Sequence, residues 1–544
     1  MSFRKIYYSL WVCFTFSLLL GSKVAYSQKN ANARPNIIMI VADDMGYSDI
    51  GCYGSEIQTP NLDQLAKSGM RFTQFYNQAV CNISRATFLT GLYPRFGRGS
   101  LLKNNMVTMA QVLGKAGYAT ILSGKWHLGD GETSPWKKGF QEFYGAMIGA
   151  INHFDPSLPD PPFVNHSGPS KPFVHNGVVV DHVPDDYYTT DAQTSFAIEQ
   201  MKKSVKKGQP FFLHLAFNAP HYPLQAWPED IEKYKGKYQE GYEVWRERRY
   251  KGAIKAGVLN EKWKLPPTDQ RHANFAYDLA VPPWSSLNRK EQQREADKMA
   301  VYAAMVDRID QNIGRLMRYL KETGMDENTL VVFFSDNGGC ASIITNPVSK
   351  KLNTEFNQGK PIGGKDTYEF AGPGWASVMS SPFRRYKVWT YEGGISTPMI
   401  VWWKGKIQPG ITTQVPTHII DLFPTFLDIS KAEYPQKWDD VDILPLEGKS
   451  LVPLLTKQTD MGEREFGWFL YGNRAYRRGK WKAVYGVTTM KWELYNMEAD
   501  RTESQDLAQN YPEIIQELES KWNKWAKGKA IPMDNSKYIK PEGK

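Results

Sequence analysis

The 544-residue chain is long enough to bury a sizeable core, and its length fits one large domain with a smaller companion. Apolar residues at 41% and charged residues at 23% are ordinary for globular proteins, which excludes wholesale disorder and a mini-scaffold. The formal charge of +10 is modest for this length: it favours anionic partners, names no ligand, and fits a solvated basic surface as well.

At the N-terminus, Arg4 and Lys5 precede an apolar run over residues 6–20 that is short for a membrane span. Ala25-Tyr26-Ser27 places small residues at the two positions a signal peptidase reads, so residues 1–27 read as a secretory signal and the mature chain starts near Gln28. The alternative is a single N-terminal anchor. Cys13 lies inside the apolar run and not at its end, which argues against lipid attachment. No later stretch approaches about 18 uninterrupted apolar residues, so the expectation is a periplasmic or secreted product without stable membrane insertion after signal removal. The remaining Cys52, Cys81 and Cys340 are an odd number for an oxidising compartment, which raises the question of which thiol is special. A Cys52 to Cys340 bridge stays open.

Four short apolar runs each end in a polar cluster: 36–41 before Asp43 and Asp44, 118–122 before Lys125 and His127, 211–217 before His221, and 330–334 before Asp336 and Asn337. They read as buried parallel strands. Met299, Tyr302, Val306, Ile309, Ile313, Leu316 and Leu320 recur at helical spacing, and Gly324 is placed to stop that helix. The order strand, helix, strand predicts an α/β fold over residues 28–434: a large mixed, mostly parallel sheet flanked by helices. Ligands of open α/β sheets bind beyond the carboxyl ends of the strands, so the four clusters converge on one crevice. Residues 152–186 and 227–291, rich in Pro, Gly, charge and aromatics, read as long loops over that crevice. Residues 435–544 are expected to form a smaller α+β domain, with antiparallel strands at 468–471, 481–484 and 492–495 and a helix over 511–525.

Asp43 and Asp44 repel each other unless a cation or hydrogen-bond donors neutralise them. With Asp336 and the amide oxygen of Asn337 they make a hard, all-oxygen donor set suited to calcium or magnesium. Helix and turn capping is the other reading of those aspartates. The cationic set is Arg85, Lys125, His127, His221 and Lys387. Lys125 and His127 lie in Gly124-Lys125-Trp126-His127, directly after an apolar run where an exposed face is not expected, and Pro220 and Pro223 flank a turn that fixes His221. Cys81 opens Cys81-Asn82-Ile83-Ser84-Arg85, at the start of a predicted helix whose dipoles favour negative charge. A buried inert thiol and a thiolate nucleophile are both open for it.

This segment, with Leu89-Thr90-Gly91 after it, resembles the signature of the formylglycine-dependent sulfatase family, a Cys-x-Pro-x-Arg core followed by Leu-Thr-Gly. Pro35-Asn36-Ile37-Ile38 through Asp43-Asp44-Met45-Gly46, the Gly-Lys-Trp-His block, Ala219-Pro220-His221, Ser335-Asp336-Asn337-Gly338, and Lys387 before Tyr391-Glu392-Gly393-Gly394 also resemble sulfatase blocks in sulfatase order. So do Leu446-Glu447-Gly448-Lys449-Ser450-Leu451 and Glu493-Leu494-Tyr495-Asn496-Met497. The likeness is to the arylsulfatase type, of the alkaline phosphatase-like superfamily. It implies a sulfuric ester hydrolase with formylglycine made from Cys81 by a maturation enzyme. It also implies one calcium ion held by Asp43, Asp44, Asp336 and Asn337, with Arg85, Lys125, His127, His221 and Lys387 as the other catalytic residues. The departure is Ile83, where the family has Pro or Ala, which bears on recognition by the maturase. The expected substrate is a sulfated polysaccharide or oligosaccharide, or a small aryl sulfate, and nucleic acid is not an expected partner. Two rivals remain at this point: a metallophosphodiesterase of the same superfamily, against which Asn337 speaks because those enzymes carry His there and hold two zinc ions, and a non-catalytic binder of sulfated glycans if Cys81 stays unoxidised.

Overall fold

The structure, a computed structural model, describes residues 34–534 and 538, apart from 97–99, 165–171, 270–274, 276–277, 279–280 and 342–350. The expected signal segment, and parts of both expected loops, lie outside the described residues.

Eleven strands form one sheet: β1 (Asn36–Ala42), β2 (Met70–Tyr76), β3 (Ala119–Gly124), β4 (Glu142–Ala146), β5 (Phe173–His175), β6 (Val178–Val179), β7 (Phe211–Ala216), β8 (Thr329–Ser335), β9 (Ser396–Trp403), β10 (Ile411–Thr413) and β11 (Thr417–His418). Their order is β10-β2-β9-β8-β1-β7-β3-β4-β5-β6, with β11 pairing β2. The four strands expected from sequence are the adjacent, parallel β8, β1, β7 and β3. Strand β1 shows why they sit centrally, since Ile37, Met39 and Val41 enter the core on one face and Ile38, Ile40 and Ala42 the core on the other.

The helix Arg289–Thr323 covers one face, burying Met299, Tyr302, Val306, Ile309, Ile313, Leu316 and Leu320. Asn288 and Glu291 form a capping box at its start, and Gly324, with φ 70°, ends it. The segment expected as a loop over 227–291 differs in part, because residues Tyr242–Lys255 are helical. That helix buries Tyr242, Trp245, Arg246, Arg249 and Ala253, so arginines occupy positions where a periodicity argument looks for apolar side chains. Within 152–186 the chain forms β5 and β6 among turns.

A separate antiparallel sheet follows, β12 (Glu465–Leu470), β13 (Asn473–Arg478), β14 (Trp481–Gly486) and β15 (Lys491–Asn496), with the helix Pro512–Gly528 packed on it through Leu518, Trp522 and Ala526. The expected strands are there; β13 is an additional one. Cys52 and Cys340 form no disulfide and belong to different apolar clusters. No helix among the described residues is long and apolar enough to cross a membrane.

Candidate active site

Parallel pairing places the carboxyl ends of β1, β3, β7 and β8 at one edge of the sheet. Backbone hydrogen bonds continue past the strands and tie the connections together: Asp43 N donates to Ala219 O at 3.1 Å, Asp336 N to Ala42 O at 3.2 Å and Lys125 N to Ala216 O at 2.8 Å. Gly124, with φ 123°, must be glycine, because a Cβ there would stand 1.8 Å from Ala216 O. Strand β2 also ends at this edge and leads into the helix Cys81–Thr90, with Cys81 at its first turn. The antiparallel β9 starts there, preceded by Lys387. Asp44, Ala79, His127 and Val388 all have φ between 59° and 84°, left-handed conformations that non-glycine residues adopt only where the surroundings impose them.

All ten residues expected at the site come together, each buried or nearly so. Lys125 Nζ lies 2.5 Å from Asp43 Oδ2, and Lys387 Nζ lies 2.6 Å from Asp44 Oδ1. Arg85 stands 2.9 Å from Asp336 Oδ2 and 3.8 Å from Asp43 Oδ1, while its Nη1 donates to Lys125 O at 2.8 Å. Asn337 Nδ2 donates to Asp44 Oδ1 at 2.7 Å, and His221 Nε2 lies 3.4 Å from Asp44 Oδ2. Cys81 Sγ lies 3.3 Å from His127 Nδ1.

One oxygen on each expected metal ligand, Asp43 Oδ1, Asp44 Oδ2, Asp336 Oδ2 and Asn337 Oδ1, is buried without a well-aligned hydrogen bond, although Arg85 ion-pairs with Asp336 Oδ2 and lies 3.8 Å from Asp43 Oδ1, and His221 lies 3.4 Å from Asp44 Oδ2. Buried acceptors short of donors are costly, and four such oxygens on neighbouring strand ends fit a hard cation held by oxygen. Asp43, Asp44 and His221 also bring ligand atoms within 4.8 Å of one another, a mixed set that a softer ion would favour. The all-oxygen set explains more of the under-satisfied atoms.

Burial pushes the carboxyl of Asp43 up, and burial together with the charge of Asp43 pushes Asp336 up to about 7. Asp44 is held below the carboxylate range, since Lys387, His221 and Lys125 outweigh its burial. Burial, then the Lys125 and Arg85 charges, pushes His127 far below the usual imidazole value. His221 is pushed the same way by burial, against the pull of Asp44. His221 Nδ1 sits 2.7 Å from Tyr222 O and donates to it, so the neutral ring turns the Nε2 lone pair toward Asp44. The Cys81 thiol is raised by burial and stays protonated near neutral pH, which disfavours the thiolate reading.

Residues without a sequence signal support this edge. Ser335 Oγ accepts from Met45 N at 2.9 Å and donates to Asn337 O at 2.9 Å, bridging two ligand loops. His153 Nε2 reaches His221 O at 3.1 Å, and Gln225 holds His153 N at 2.8 Å. Ile83 packs in an apolar cluster with Tyr386, Val388 and Trp389 around Lys387, so the fold accommodates that departure.

Residues 35–432 match the sequence model of the sulfatase family, nearly three quarters of the chain. The chain belongs to the sulfatase family. Residues 384–528 of this sulfatase also match the C-terminal region of N-sulphoglucosamine sulphohydrolase. It is 34% identical to an uncharacterised sulfatase of Schizosaccharomyces pombe, over 92% of this chain and 94% of that one. It is also 34% identical to the arylsulfatase of Klebsiella aerogenes, over 80% and 94%. Among solved structures, Ps i-CgsB in complex with k-i-k-neocarrahexaose superposes with a TM-score of 0.65 at 26% identity, covering 94% of this sulfatase and 95% of that chain. The sulfatase is therefore a sulfuric ester hydrolase, built on the alkaline phosphatase-like fold.

Proposed function

We propose that this sulfatase is an exported enzyme that removes sulfate from a sulfated oligosaccharide or polysaccharide, using formylglycine at position 81 and one calcium ion held by Asp43, Asp44, Asp336 and Asn337. The carrying observation is the set of four buried, under-satisfied oxygens on Asp43, Asp44, Asp336 and Asn337, at the sheet edge where the Cys81 helix begins. When present, the two groups supply a hydroxyl of the aldehyde hydrate, polarised by the divalent ion, for attack on sulfur.

Charge balance supports the reading. Three carboxylates face Arg85, Lys125 and Lys387, so the cluster is near neutral, and both lysines are spent on Asp43 and Asp44. With a divalent cation on those carboxylates the site would be net positive, and both ammonium groups would be available to an incoming anion. Lys125 and Lys387 then bind the sulfate oxygens and stabilise transition-state charge. Arg85 orients residue 81 and screens Asp43 and Asp336. His127, held neutral 3.3 Å from the residue 81 side chain, takes the proton whose removal regenerates the aldehyde. His221 Nε2, helped by Lys387, protonates the leaving oxygen; a bound anion raises its proton affinity, which burial otherwise depresses. A carbohydrate substrate is supported by Ps i-CgsB, whose complex holds k-i-k-neocarrahexaose. Residue 81 is only 4% exposed in its helix, so oxidation by the maturase precedes folding. Smaller aryl sulfates fit the same chemistry.

The deciding test measures sulfate and phosphate release from paired model esters. Faster sulfate release by orders of magnitude supports this reading. Preferential phosphate release with zinc dependence supports a metallophosphodiesterase with His221 as ligand, and glycan binding without any turnover supports a non-catalytic binder.

Two further outcomes follow. His221→Asn lowers kcat by about 100-fold on alkyl sulfates and by less on aryl sulfates with acidic leaving groups, because only poor leaving groups need the proton; equal losses on both contradict the assignment. The folded, ion-free protein holds a proton on Asp336 up to about pH 7, more tightly than the unfolded chain does. Ion-free stability therefore falls as pH rises from the ordinary carboxylate range toward 7, and calcium, which displaces that proton, stabilises more over the same window. Calorimetric titration should show calcium binding weakening by about tenfold per pH unit below 7, and a pH-independent affinity contradicts this.

A further inference from the structure

The short helical turn Glu392–Ile395 is tied by its backbone to three segments that carry site residues. Gly338 N, beside Asn337, donates to Gly394 O at 3.1 Å; Asn77 N, ahead of Cys81, donates to Ile395 O at 2.8 Å; and Gly393 N donates to Arg384 O, ahead of Lys387, at 2.9 Å. These approaches leave no room for side chains. A Cβ on Gly338 would stand 1.9 Å from Gly393 O, one on Gly393 2.1 Å from Arg385 O, and one on Gly394 2.0 Å from Trp389 O.

The Glu392 side chain is gripped largely from the C-terminal region, by Lys482 of its sheet and by Arg501 in the turn after it. Lys482 Nζ of β14 lies 2.9 Å from its Oε1, Arg501 Nε lies 3.0 Å from its Oε2, and Tyr76 OH donates to Oε2 at 3.0 Å. Glu503 closes the ring, its Oε1 2.7 Å from Lys482 Nζ and its Oε2 accepting from Glu392 N at 2.9 Å. Glu503 holds a left-handed φ of 57°, and Glu392, Lys482, Arg501 and Glu503 are at most 1% exposed. Charges at such depth are costly to desolvate, and apolar replacements are often as stable, so stability alone does not account for them.

We propose that the buried clamp of Lys482, Arg501 and Glu503 on Glu392 is a positioning device through which the C-terminal sheet and the turn after it fix the relative placement of the Cys81, Asn337 and Lys387 segments. The inference rests on the active-site reading above. None of the clamp side chains touches the reacting atoms; they act through the turn at 392–395. Loosening the clamp misplaces the nucleophile, an ion ligand and a sulfate-binding lysine relative to one another, while the cations that attract the anion remain.

The test compares kcat and KM of the full-length enzyme and its Lys482→Met, Lys482→Arg and Glu503→Gln variants on an aryl sulfate, with rates normalised to the folded fraction measured by near-UV circular dichroism. Lys482→Met is expected to lose about 10- to 100-fold in kcat with KM within about twofold, since small misplacements act on the transition state. Lys482→Arg restores most of the rate. Trp522→Phe, which perturbs packing of the same sheet outside the clamp, keeps the wild-type kcat. If Lys482→Met does not fold, Glu503→Gln decides, because it keeps the shape and removes one charge; about a tenfold kcat loss is expected. Folded clamp variants with wild-type kcat, or a Trp522→Phe loss of the same size, overturn the clamp while wild-type turnover stands. Absence of turnover in the wild type itself overturns the active-site reading and the clamp with it.

Discussion

Cys81→Ala will fold and still bind sulfate esters, but will release sulfate at least about 10⁴-fold more slowly than the wild type. The side chain is buried at the first turn of a ten-residue helix, so removing its sulfur leaves a small cavity and a stability loss of about 1 kcal/mol. Lys125 and Lys387 are untouched, so KM moves little while kcat collapses. An unoxidised thiol is a poor candidate for the attacking group, since burial keeps it protonated and its neighbour His127 is itself a depressed base. Initial-rate measurements on an aryl sulfate check this. A Cys81→Ala protein within tenfold of wild type would show that the reacting group lies elsewhere.

Asp44→Asn is expected to lower kcat/KM by about 10³-fold and to resist rescue by added calcium. Asp44 meets Lys387 at 2.6 Å, Asn337 at 2.7 Å and His221 at 3.4 Å, so one carboxylate touches a proposed ion ligand, the lysine proposed to bind sulfate and the proposed acid. Its charge also raises the proton affinity of Lys387, which burial would otherwise lower. Without that charge the ammonium is buried beside a neutral amide, at a cost of about 3 kcal/mol in the ion-free protein. In parallel, chelator treatment of the wild type is expected to abolish activity, with calcium restoring it where zinc does not. Activity that survives both chelation and the substitution would remove the ion from the mechanism.

Much of this centre is legible in the sequence, because Asp43, Asp44, Lys125, His127, His221, Asp336 and Asn337 follow continuous apolar strands, whereas Cys81, Arg85 and Lys387 stand out chiefly by resemblance to the sulfatase blocks. Strands β1, β3, β7 and β8 and the helix around Met299–Leu320 stand out by period and by content. The helix Tyr242–Lys255 is not legible, because Arg246 and Arg249 occupy its buried face, Arg246 donating to Pro266 O and Arg249 pairing with the sequence-distant Asp49 and Glu56. Strand β13 hides in Asn473–Arg478 for the same reason: Arg477 is buried only because Gln74 and Tyr76 receive its donors. The clamp on Glu392 was equally invisible. Glu392-Gly393-Gly394 appears in the sequence as a motif, but the cations that pair with its carboxylate, Lys482 and Arg501, lie about ninety residues and more downstream, as does Glu503, which accepts from its backbone N–H.

The most direct test is the mass of the peptide that contains residue 81, taken from protein purified with full sulfatase activity. The account predicts a peptide lighter than the cysteine form by the exchange of the thiol and one hydrogen for a carbonyl oxygen, in a fraction that tracks specific activity across preparations. Fully active enzyme carrying only unmodified Cys81 would contradict it.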